Sequence, residues 1–68
     1  MQTENQRILK ALQAQVDFLD AARINHLFLG EKAENPEIAH AHVEFTDVLV
    51  QAISRCNDLL DKYNRLAK

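Results

Sequence analysis

The sequence predicts an all-α protein, an antiparallel two-helix hairpin that pairs with a second copy into a four-helix bundle. Helix-forming residues are abundant, and there is only one Gly and one Pro. Apolar residues recur at helical spacing on both sides of these two residues. The chain has 68 residues and one cysteine, so no internal disulfide supports its small core. Association is therefore the expected extra source of stability.

The first helix is predicted over residues 4–29. Thr3 and Gln6 have the spacing of a capping box, in which each side chain accepts from the other residue's backbone N–H. Gly30 stands where a left-handed residue commonly ends a helix. Residues 30–35 are then the turn, and a connection this short requires the two helices to be antiparallel neighbours.

The second helix is predicted over residues 36–67, which completes one helical-hairpin domain over residues 1–68. Asn35 is a good N-cap, and Pro36 suits the first helical position because its missing N–H needs no partner there. The helix dipole favours positive charge at the other end, where the sequence has Lys62, Arg65 and Lys68.

Each helix has a line of residues that we expect to contact the other helix. On the first helix the line is Asn5, Ile8 or Leu9, Leu12, Val16, Leu19, Arg23, and His26 or Leu27. On the second helix a heptad pattern predicts Ile38, His42, Phe45, Leu49, Ala52, Cys56, Leu59, Tyr63 and Leu66. In this interpretation the lone cysteine is a small core residue.

The first helix also has a second apolar line, formed by Ala11, Phe18, Ala22 and Leu29 and flanked by Ala14, Ala21 and Phe28. A hairpin needs only one such line per helix, and a second line is too apolar to stay in water without a reason. The second helix has a weaker counterpart in Val43 and Val50. This surplus of apolar residues predicts the four-helix bundle.

Eight side chains are predicted to contact the second copy or a protein target. Arginine and aromatic residues are enriched among the residues that dominate binding energy at interfaces. The predicted contacts are Phe18, Ala22, Arg23, Phe28, Leu29, Phe45, Leu49 and Tyr63.

The charges are divided between the two ends of the hairpin. Residues 31–54 include five acids and one base, whereas residues 55–68 include four bases and two acids. The open end of the hairpin is the end opposite the turn, where the first helix starts and the second helix ends. An antiparallel dimer, with the turn of one chain against the open end of the other, brings opposite charges together. The alternatives are an acidic docking patch for a basic partner, and solvated charge without a role.

The sequence predicts no metal site, no cofactor and no enzyme activity. His40 and His42 point to different faces of a helix, and we expect His26 and His42 to face each other near the turn. Cys56 lies about 21 Å farther along the helix axis, too far to complete a zinc site with them. No glycine-rich phosphate loop and no set of nucleophile and base is visible.

These observations predict a small interaction module, a homodimeric regulator that binds and inhibits or adapts a larger protein. Small phage and bacterial proteins of this layout include ones that block transcription factors or motor ATPases, which is analogy at the level of the fold alone. Two alternatives are an RNA-binding hairpin dimer, similar to the plasmid protein Rop in architecture only, and a structural subunit of a larger helical assembly.

The predicted partners are a second copy and an unidentified protein. The net charge is −2, which argues against nucleic-acid binding. We expect no membrane contact, because the polar faces are acidic or mixed and no apolar run approaches about 18 residues. The lone thiol and the absence of a signal-peptide pattern at the start favour a cytoplasmic location.

Overall fold

The computed structural model describes residues 3–66 and is all-helical, with no strand in that range. It has two α-helices, α1 over Glu4–Lys32 and α2 over Pro36–Leu66. They pack against each other as an antiparallel hairpin about 50 Å long. The predicted end of the second helix at residue 67, and the predicted role of Lys68, lie outside the described residues.

Helix α1 begins with the predicted capping box, which the structure confirms. The Thr3 backbone N–H donates to the Gln6 side-chain oxygen at 2.9 Å. In return, the Gln6 N–H donates to the Thr3 hydroxyl at 3.2 Å. Both otherwise unpaired donors at the start of the helix are thereby satisfied.

The predicted end of α1 at Gly30 is wrong. The helix continues to Lys32, Gly30 keeps a helical backbone, and Ala33 is the C-cap. Gly30 is instead placed where the two helices approach closely: a Cβ atom added there would lie 3.2 Å from the His42 Cβ. The glycine therefore accommodates the neighbouring helix and does not terminate its own.

Helix α2 starts as predicted. The Asn35 side-chain oxygen accepts from the Glu37 N–H at 2.8 Å, and the Asn35 carbonyl accepts from the Ala39 N–H at 3.0 Å. The link between the helices is therefore only residues 33–35, which is shorter than predicted because α1 extends past Gly30.

One line of residues on each helix is shielded by the other helix. On α1 the line agrees with the prediction: Asn5, Leu9, Leu12, Val16, Leu19, Arg23 and His26, continued by Gly30. On α2 the shielded line is Ala39, His42, Thr46, Leu49, Ile53, Cys56, Leu60 and Tyr63. The predicted α2 line is therefore wrong at Ile38, Phe45, Leu59 and Leu66, which are exposed, whereas Ala52 is half-buried.

The hairpin alone has no buried apolar core. Among the described residues no hydrophobic side chain is buried, and the one buried residue is Thr46, at 9% exposure. Its hydroxyl donates to the His42 carbonyl at 2.8 Å, so its polar atom is satisfied. Two helices can shield only one line each, which leaves the remaining apolar side chains facing outward.

Candidate protein-interaction surfaces

The turn end of the hairpin is organised around two histidines that face each other, as predicted. The Nδ1 atoms of His26 and His42 lie 2.9 Å apart, so one ring donates to the other. The His26 ring also stacks on Phe45, with the ring centroids 5.3 Å apart. Both histidines are part-buried, and together they fix the register between α1 and α2 at this end.

The hairpin has two broad faces, and a cavity shows which residues share a face. A cavity of about 440 Å³ near the turn is lined by Leu27 and Glu31 of α1 and by His40 and Val43 of α2. Each of these residues comes one position after a residue of the shielded line in the sequence: Leu27 follows His26, and Val43 follows His42. The residues that come one position before a shielded residue must therefore lie on the opposite face of the hairpin. Phe45, which precedes Thr46, lies on that face against His26.

We call that opposite side the apolar face. Its members recur in steps of three and four residues along both helices. On α1 they are Ile8, Ala11, Phe18, Ala22 and Leu29, and on α2 they are Ile38, Ala41, Phe45, Val48, Ala52, Leu59 and Leu66. Its large side chains are all exposed, from 37% of Ile8 to 62% of Val48 and 68% of Phe18.

The apolar face is also poor in charge. On α1 the positions between its apolar members are occupied by Gln15 and Asn25, which are neutral. On α2 the first charged residue in the same line is Arg55, followed by Lys62. A surface of this length without a carboxylate in its central part is typical of a protein–protein interface core.

The cavity lies on the other side, which we call the acidic face. It combines acids with exposed apolar side chains and one histidine. On α1 they are Asp17, Asp20, Ile24, Leu27 and Glu31, and on α2 they are His40, Val43, Asp47 and Val50. The small residues Gly30 and Ala39 leave room for the cavity between the helices.

The predicted interface residues fall in three places. Phe18, Ala22, Leu29 and Phe45 belong to the apolar face, whereas Arg23, Leu49 and Tyr63 lie in the shielded line. Arg23 is part-buried, and its guanidinium binds Asp20 of its own helix at 2.9 Å. Phe28 lies on the back of α1, where the Lys32 ammonium is 4.4 Å from its ring centroid. Their predicted contacts with a partner remain predictions.

Sequence reasoning missed Ile38, Val48 and Leu59 as members of the outward face of α2. The sequence does contain a signal for the first of these. Ile38 and Phe45 are each followed by a smaller residue, Ala39 and Thr46, and these smaller residues are the ones that α1 shields. The bulky side chains are therefore turned outward.

In residues 3–66 no group of three or more His, Cys, Asp and Glu side chains is placed to hold a metal ion. Neither α1 nor α2 is long and apolar enough to cross a membrane. No protein-family model, curated protein sequence or solved structure matches this chain.

Proposed function

We propose that this chain is a non-enzymatic protein–protein interaction module that works as a homodimeric four-helix bundle. The observation that supports this proposal is the apolar face, which continues along both helices and contains large exposed side chains such as Phe18 and Phe45. A second copy presents the same face. Two hairpins packed through it would bury the side chains that one hairpin leaves in water.

The accessible surface of the hairpin supports association. A compact monomer of 7.8 kDa is expected to expose about 4,400 Å². The hairpin exposes 5451 Å², an excess of about 1,000 Å². A typical stable interface buries about 800 Å² on each partner, so the excess is of the size that one dimer interface removes.

The dimer leaves the acidic face open, and we assign target binding to it. The cavity there has apolar walls formed by Leu27 and Val43, and Glu31 contributes a carboxylate to its rim. Asp47 adds a second carboxylate on the same face. A partner segment that fits has apolar side chains for the cavity and Lys or Arg for the rim, which describes a basic amphipathic helix.

Solution mass by sedimentation equilibrium, from low to high micromolar, tests the dimer. The expected result is a helical species of twice the chain mass of 7.8 kDa. A monomer of low helicity would overturn the homodimer. It would favour instead a subunit that folds on a different protein, with that protein covering the apolar face.

A further inference from the structure

One edge of the apolar face on α2 has a regular arrangement of charge. Glu37, Glu44, Arg55 and Lys62 are separated by seven, eleven and seven residues. These spacings are close to whole numbers of helical turns, so the four side chains lie along one line. The two acids are on the turn half of α2, and the two bases are on the open half.

These charges are largely free for an outside partner. Within residues 3–66, Glu37, Arg55 and Lys62 form no ion pair shorter than 4.0 Å. The Lys62 ammonium lies 5.8 Å from the ring centroid of its neighbour Tyr63, a longer contact than that of Lys32 with Phe28. Glu44 contacts His40 of its own helix at 2.9 Å, and both side chains are strongly exposed. Such an exposed contact contributes little and is easily exchanged for another.

The arrangement is symmetric about the middle of α2. The midpoint between positions 37 and 62 coincides with the midpoint between positions 44 and 55, and both fall between Leu49 and Val50. A two-fold axis through that point, perpendicular to α2, would bring α2 of a second copy alongside in the antiparallel direction. Each glutamate would then lie level with a base of the other copy.

We propose that the second copy packs with its turn against the open end of the first, so that α2 lies along α2 of its partner. This inference rests on the proposed homodimer and specifies its geometry. Glu37 of each copy pairs with Lys62 of the other, and Glu44 pairs with Arg55 of the other. Because the dimer is symmetric, each pair occurs twice, which gives four ion pairs. They lie at the rim of an interface whose centre is the apolar face.

The competing geometry has both turns at the same end and places α2 against α1 of the other copy. In that arrangement Arg55 and Lys62 lie at the same end as both Arg7 and Glu4, so the charges that meet there are mixed and only partly opposite. In the proposed geometry Arg7 comes level with Lys32 of the other copy. However, the Lys32 ammonium is held over its own Phe28 ring at 4.4 Å, away from that contact.

Charge reversal tests the geometry directly. One variant carries Glu37→Lys with Glu44→Lys, and a second carries Arg55→Glu with Lys62→Glu. Each alone places four like pairs at the dimer edge, and we expect its self-association to weaken by at least about tenfold. Mixed in equal amounts, the two variants recover the pairing, so helicity and the mass of a heterodimer are expected to return.

The matched control is Asp47→Lys with Asp61→Lys, which makes the same charge change on α2 away from the apolar face. It is expected to dimerise like the unmodified chain. If the unmodified chain is a dimer but the first two variants dimerise equally well and show no preference for each other, the antiparallel geometry is wrong and the homodimer stands. If the unmodified chain is a monomer, both proposals are wrong.

Discussion

His26 of α1 and His42 of α2 share one hydrogen bond across the hairpin, with their Nδ1 atoms 2.9 Å apart. Because one nitrogen donates, the other must be unprotonated to accept. The contact sits beside Gly30, where α1 and α2 approach closely, so it is part of the packing of the turn end.

This contact predicts that loss of one ring weakens the fold. His42→Leu removes the hydrogen bond and leaves the part-buried His26 nitrogen without its partner across the hairpin. We expect the free energy of unfolding, measured with urea, to fall by about 1 kcal/mol.

A variant at an exposed histidine is the control. His40→Gln removes a side chain whose partner is Glu44 of the same helix, and it should change the free energy of unfolding by less than about 0.5 kcal/mol. Equal losses in the His42→Leu and His40→Gln variants would contradict the role given to the pair.

The close approach at Gly30 predicts a large cost for a bulky side chain there. A Cβ atom alone would lie 3.2 Å from the His42 Cβ, and that atom is too near the backbone to move aside easily. Gly30→Leu is expected to lower the free energy of unfolding by about 2 kcal/mol. Ser54→Leu, on the exposed side of α2, is the control and should change it by less than about 0.5 kcal/mol.

The cap of α2 predicts a smaller, separable loss. Asn35→Ala removes the oxygen that accepts from the Glu37 N–H at 2.8 Å, and it should cost about 1 kcal/mol. Asn35→Asp keeps an acceptor and should restore most of the stability. Thermal unfolding followed by circular dichroism measures both variants. Equal midpoints for the Ala and Asp variants would show that the cap does not matter.

The local signals in the sequence were sufficient for the helix starts and for the α1 line. Capping residues act within one turn, so Thr3 and Asn35 identify their helices without knowledge of the fold. The facing of His26 and His42 followed from their positions relative to a short link. These predictions depend on spacing along one chain, which the sequence contains in full.

The orientation of α2 could not be predicted in the same way. Apolar residues occupy neighbouring positions at Ala52 and Ile53 and at Leu59 and Leu60, so two lines fit the heptad pattern equally well. Packing against α1 selects the line that includes Ile53 and Leu60, and Leu59 stays exposed. The prediction that Gly30 ends α1 was wrong because two kinds of glycine look alike in sequence: one that ends a helix, and one that lets a second helix approach closely.

The acidic face predicts selective binding of a basic partner. A fluorescent helical peptide of Leu and Lys is expected to bind, and a peptide of Leu and Glu with the same pattern is not. Glu31→Lys with Asp47→Lys should abolish binding, and raised salt should weaken it. Equal binding of both peptides, measured by fluorescence anisotropy, would contradict the assignment of this face.

The dimer is tested most directly by one pair of matched substitutions on α2. Val48 lies on the apolar face and Val43 lies on the acidic face, and both are about half exposed in the hairpin, at 62% and 52%. Sedimentation equilibrium on the Val48→Glu and Val43→Glu variants compares the two faces with identical chemistry. A buried unpaired carboxylate is costly, so Val48→Glu is predicted to be a monomer and Val43→Glu a dimer. Two dimers, or a monomer from Val43→Glu alone, would contradict the assignment of the apolar face to the second copy.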